Sequence, residues 1–122
     1  KIYMKNGVID HVEGGAIAEQ WEKYMRDFQH PQMLRPAHVC VGFHPNAKLT
    51  GQLGEDERIY GGSQWGFGAI GSFLMPPNGI PAPSHIDATC LRVSIYLDGV
   101  AITQDGEIVD EELKKYAARL GR

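Results

Sequence analysis

Apolar and polar positions along the chain mark out short strands, two main helices and several constrained loops. Residues 2–13 hold two strand-like runs on either side of Asn6-Gly7, a dipeptide that favours a two-residue hairpin turn. Gly14-Gly15 ends the second run. From Ala16 to Phe28, the residues Ile17, Trp21, Tyr24, Met25 and Phe28 recur at three- and four-residue steps, the stripe of an amphipathic helix. On its polar side Glu19–Lys23 and Glu22–Arg26 stand four apart in the favourable order. Pro31 and Pro36 bracket the loop that follows. Ala37 to Phe43 reads as a strand from its β-branched run, ended by His44-Pro45-Asn46. Glu55 to Tyr60 suits a short helix. Gly61 to Gly71 is dense in glycine around Trp65 and Phe67, which argues against a regular central strand. Met75 to Ser84, with four prolines and one glycine, is expected as a constrained loop. Leu91 to Leu97 alternates as a strand, with Val93, Ile95 and Leu97 on one face. Asp98-Gly99 and Asp105-Gly106 are turn signals around Val100–Thr103. Asp110 is placed as the N-cap of a last helix whose Leu113, Tyr116, Ala117 and Leu120 face inward, with Gly121 as its stop. The pattern predicts one α+β domain with a mixed or largely antiparallel sheet and two main helices packed on it.

Composition narrows the class. The 122 residues are 43% hydrophobic and 22% charged, the profile of an ordinary globular domain. The net charge of −3 argues against nucleic acid as partner, because such domains carry a basic excess. No apolar run approaches the roughly 20 residues that span a bilayer, and no secretory leader is recognised. Cys40 and Cys90 are too few for a disulfide scaffold, and their apolar runs suggest buried thiols in the reducing cytoplasm. The chain opens at Lys1 in what already reads as strand, so a trimmed start or an excised piece of a longer protein is expected.

The sharpest chemical signal is Ser84-His85-Ile86-Asp87. In extended backbone, residues two apart share a face, so His85 and Asp87 present an imidazole and a carboxylate together. His-x-Asp is the local half of a two-histidine, one-carboxylate iron site, which leaves positions open for substrate and O₂. Taken alone, the tripeptide is more often a surface histidine paired with an aspartate. His11, His30, His38 and His44 are candidates for a third ligand. His38 leads, because a histidine between Ala37 and Val39 must be hydrogen-bonded or ligating, although a satisfied core histidine meets the same need. His44, at a strand end, suits a substrate contact, while His11 and His30 lie in polar surroundings. Glu55-Asp56-Glu57 reads either as acidic ligands or as the acidic first turn of a helix. Isolated cysteines exclude a zinc finger, and no Gly-x-Ser-x-Gly elbow supports a serine hydrolase.

The blocks Val41-Gly42-Phe43-His44-Pro45-Asn46-Ala47-Lys48-Leu49-Thr50-Gly51, Glu55-Asp56-Glu57-Arg58-Ile59-Tyr60-Gly61, Ser84-His85-Ile86-Asp87 and Tyr96-Leu97-Asp98-Gly99 resemble the C-terminal part of the leucyl aminopeptidase T family. That superfamily also holds 2,5-dihydroxypyridine 5,6-dioxygenase. The resemblance implies a metal set of His38, His85 and Asp87. It places His38 where the peptidases carry a metal-binding glutamate and Gln64 where they carry a histidine. It thereby favours one Fe(II) and ring cleavage of a dihydroxylated aromatic with O₂ over a two-metal zinc or cobalt peptidase. A non-catalytic assembly domain of the same fold is the third possibility. Substrate contacts are expected from His44, Ser63, Gln64, Trp65 and Ser84, with Trp65, Phe67 and Phe73 able either to stack on a ring or to pack in the core. The acid/base groups are expected in an N-terminal domain of the same chain, and the whole is expected to form a homo-oligomer.

Overall fold

A computed structural model describes residues 1–121. Among them are eight strands, three α-helices and one 3-10 turn, in an α+β arrangement of three small antiparallel sheets. The first sheet is the hairpin of β1 (Ile2–Lys5) and β2 (Val8–Val12). Its turn residues Asn6 and Gly7 have φ of 53° and 71°, as a mirror-image two-residue turn requires. The two Asp-Gly turns behave alike: Asp98 and Gly99 join β6 (Ile95–Leu97) to β7 (Val100–Gln104), and Asp105 and Gly106 join β7 to β8 (Glu107–Ile108). The remaining sheet has the order β3-β4-β5, built from Pro36–Val41, Ser63–Ile70 and Ile80–Cys90.

Packing divides the chain into two compact units, Lys1–His38 with Gly66–Ile86, and Val39–Trp65 with Asp87 onward. In the first, Ile9, Met25, Met33 and Phe67 form the buried core, with Trp21 and Phe28 packed against it. Trp21 meets Phe67 edge-on at 5.5 Å between ring centres. Helix α1 (Ala16–Asp27) brings Trp21 and Met25 inward, but Ile17 and Tyr24 are exposed, against the expected stripe. These two stand seven residues apart on one edge of the stripe, beyond the reach of a small core. Of the expected ion pairs, Glu22–Arg26 forms at 2.7 Å, while Lys23 turns to Asp27 at 2.6 Å instead of Glu19.

In the second unit the Thr103 hydroxyl, almost fully buried, donates to the Val93 carbonyl and accepts from the Ile95 amide. Gly61 (φ 71°) passes so close to Gly106 that a Cβ there would lie 2.1 Å from its carbonyl oxygen. Helix α2 is a single turn, Leu53–Asp56, two residues ahead of the expected start. Asp56 is buried and accepts from the Thr50 and Gly51 amides at 2.8 and 3.1 Å, and Glu55 accepts from Lys48 N, so these acids pin a loop. Helix α3 (Glu111–Arg119) starts at the expected cap, Asp110 Oδ1 accepting from the Glu112 and Leu113 amides. Ala117 is buried, but Tyr116 and Leu120 are exposed, again because little core is available to cover a full stripe.

Three stretches depart from expectation. The glycine-dense segment is β4, the central strand of its sheet. Its glycines do not break pairing; they let neighbours come closer than a Cβ allows, as at Gly68 (φ 94°), where a Cβ would meet the Ser84 carbonyl at 2.3 Å. The proline-rich segment is not all loop, since β5 begins at Ile80 and contains Pro81 and Pro83. Both are exposed on an edge strand, where alternate missing N–H groups fall on the unpaired side. The strand expected from Leu91 is shortened to Ile95–Leu97, because Arg92 adopts a φ of 55°. Of the two thiols, Cys40 is half-buried and Cys90 is exposed.

Candidate metal centre

The β3-β4-β5 sheet carries the chemistry. His38 projects from β3 and His85 from β5, and between them β4 offers only Gly66. The two imidazoles lie parallel, 8° apart in plane and 5.1 Å between centres. A Cβ on Gly66 would come within 2.4 Å of His38 Cε1 and Nδ1 and 2.8 Å of His85 Cε1. The glycine is therefore a cradle, and a side chain at this place fills the space the rings occupy. Glycine in a strand interior often marks such a close approach, and that was the signal available in the sequence.

His85 Nδ1 lies 2.6 Å from the Ala69 carbonyl oxygen. A carbonyl only accepts, so Nδ1 carries the proton and donates, and the lone pair is left on Nε2. This is the usual way a backbone oxygen orients a ligating histidine. The Ala69 contact escaped sequence reasoning because a backbone acceptor leaves no trace in residue type. Asp87 follows two residues later on β5, half-buried. One potential ligand atom from each of His38, His85 and Asp87 lies within 4.8 Å of the others. Two ring nitrogens and a carboxylate oxygen suit a divalent transition metal with open positions.

The other expected residues are placed differently. Strand alternation puts Ser63 and Trp65 on the face of β4 opposite Gln64 and Gly66, and Ser84 on the face of β5 opposite His85. Ser63 is buried, Trp65 is 42% exposed and Phe67 is core. Phe73 is almost wholly exposed, so it neither packs in the core nor belongs to this sheet. Gln64 is buried on the face that carries Gly66, its Nε2 donating to Thr89 Oγ1 at 3.4 Å. His44 is exposed, its Nδ1 accepting from the Asn46 amide, and lines an open cleft with Asn46, Gly54, Glu55 and Arg58. His11 stacks on Tyr3 and pairs with Asp10 on the first hairpin. His30 caps the 3-10 turn Pro31–Leu34 by accepting from Gln32 N. Burial pushes the Cys40 thiol above its ordinary range; a hydrogen bond involving the Gln64 backbone works against this, and the charges of Glu57 and Asp87 add to it. Cys40 is therefore held as a neutral thiol, not a reactive thiolate.

Comparison with known proteins gives a consistent result. Residues 1–110 match the family described as NicX: 2,5-dihydroxypyridine 5,6-dioxygenase. The chain is 29% identical over 116 residues to 2,5-dihydroxypyridine 5,6-dioxygenase of Pseudomonas putida KT2440, a span of 89% of this chain and 33% of that protein. The solved structure of 2,5-dihydroxypyridine dioxygenase from the same organism has the same fold, with a TM-score of 0.75 at 24% identity over 91% of this chain and 34% of that one. The chain thus spans about a third of the length of these relatives. All three matches name 2,5-dihydroxypyridine dioxygenase, and none of them shows the expected link to leucyl aminopeptidase T.

Proposed function

This chain belongs to the 2,5-dihydroxypyridine 5,6-dioxygenase family, and from that premise we propose that it is the metal-holding domain of a mononuclear Fe(II) dioxygenase that opens a dihydroxylated aromatic ring with O₂. The observation that carries this reading is the convergence of His38, His85 and Asp87 on one sheet, with Gly66 as the cradle beneath the two rings. When bound, Fe(II) supplies open coordination positions and redox chemistry that bring ring and oxygen together.

The chain's own residues do the holding. His85 is fixed in one tautomer by Ala69. His38 is held parallel to it, and Gly66, having no Cβ, leaves both rings room to converge. Asp87 contributes the single negative charge of the set, so a dication bound there keeps a net positive charge that favours an anionic phenolate-like ligand. No helix among the described residues is long and apolar enough to cross a membrane. Proton transfer falls to groups in the remainder of a longer polypeptide, in keeping with the third of the relatives' length covered here. In the same proposal the substrate is a small hydroxylated ring such as 2,5-dihydroxypyridine, and the working form is a cytoplasmic homo-oligomer.

Elemental analysis after anaerobic Fe(II) reconstitution tests the reading. About one iron per chain is expected, lost in both His38→Ala and His85→Ala. Two tightly held zinc or cobalt ions per chain would overturn it in favour of a peptidase-type centre. No bound metal at all would leave a fold without the chemistry.

A further inference from the structure

Gln64 stands on β4 two residues before Gly66, and it is 1% exposed. Its Nε2 is engaged with Thr89 Oγ1. Its Oε1 is buried with no hydrogen-bond partner among the described residues. A buried amide oxygen without a donor is unfavourable, and such atoms in folded proteins are normally met by protein or by internal water. Strand alternation identifies the neighbourhood. Residues 64 and 66 share one face of β4, and residues 85, 87 and 89 share one face of β5. Gly66 faces the His85 ring and Gln64 reaches Thr89, so Gln64 lies on the face that carries Asp87. A carboxamide oxygen and a carboxylate are both acceptors and do not bond each other. One water molecule, with two O–H donors, serves both.

Resting on the metal-holding reading above, we propose that Gln64 is a positioning residue for the centre: its Oε1 and the Asp87 carboxylate are bridged by an internal water, which holds that carboxylate in its ligating orientation. Thr89 has a part in this. By accepting from Nε2 it turns the amide so that the oxygen, not the nitrogen, is left to receive the water. Partners that orient a ligand from outside the coordination sphere typically change metal affinity by about 10–100-fold.

The test uses the full chain and Co(II), whose visible absorption reports ligand geometry. Gln64→Met keeps the length of the side chain and removes the acceptor. Its metal-free unfolding midpoint is expected to match that of the unaltered chain. Its Co(II) affinity is expected to fall by about 10–100-fold, with a shifted absorption band. Gln64→Glu retains an acceptor oxygen and is expected to recover the affinity. Unaltered affinity and spectrum in Gln64→Met would overturn the proposal. So would a loss of affinity matched by an equal loss of metal-free stability in both variants, which is the mark of a merely structural residue. If the unaltered chain takes up no Co(II), the metal-holding reading fails and this inference falls with it. If it binds and Gln64→Met binds equally well, only this inference fails.

Discussion

Gly66→Ala separates the requirements of the fold from those of the centre. The backbone at Gly66 does not need positive φ, so alanine is sterically allowed there apart from its Cβ. That Cβ would stand 2.4 Å from His38 Cε1 and Nδ1, against 3.4 Å for the near edge of ordinary contact. The difference, 3.4 − 2.4, is an outward ring movement of about 1 Å, and His85 must move by about 0.6 Å from its 2.8 Å contact. The atoms in the way are side-chain rings that can swing, so the cost to the fold is modest. Overpacking costs about 1–3 kcal/mol, and the stiffer unfolded chain returns about 0.4–1 kcal/mol. A net destabilisation on the order of 0–2.6 kcal/mol follows. Metal ligation is far less tolerant, since ligand distances hold within about 0.2 Å. Gly66→Ala should therefore stay folded in urea titration yet lose stoichiometric Fe(II) or Co(II), followed by elemental analysis and cobalt absorption. Metal affinity equal to that of the unaltered chain would refute the cradle argument. So would wholesale unfolding, which would mean that the glycine serves the strand rather than the rings.

Two further outcomes follow from the first unit. Phe67→Ala removes a core ring that is 2% exposed and meets Trp21 edge-on, and should cost about 3–5 kcal/mol, read as a lower urea midpoint. Glu22 is held below the ordinary carboxylate value of 4.5, first by its hydrogen bond from Arg26 and then by the Val12 amide. A lowered folded value means that its contribution is fully present above the ordinary range and fades as pH falls through the lowered one. The stability gap between the unaltered chain and Glu22→Gln should thus be widest near neutrality and narrow as pH falls below the ordinary carboxylate range, as followed by urea midpoints from neutral to acid pH.

What the residue pattern alone could specify was local; the grouping of His38 with His85 and Asp87 was an expectation that came from the family resemblance. Asn6-Gly7, Asp98-Gly99 and Asp105-Gly106 specify their turns because both positions of each pair accept positive φ, whatever the rest of the chain does. Asp110 specifies a helix start because its carboxylate reaches amides two and three residues ahead. His85 and Asp87 share a face because a strand has a period of two. The tertiary structure decided everything that depended on a neighbour from elsewhere in the chain. Glycine density around Gly66 resembled a broken strand, yet it is the centre of a sheet because its partners need that closeness. Pro81 and Pro83 resembled a loop, yet an edge strand has an unpaired side on which a missing N–H costs nothing. Ile17, Tyr24 and Tyr116 had helical spacing toward a core, but units this small bury only the middle of such a stripe. Above all, His38 stands 47 residues before His85, the difference of their numbers. Only the pairing of β3 and β5 on either side of β4 brings their rings within ligating distance, because no local rule of the backbone acts over that separation.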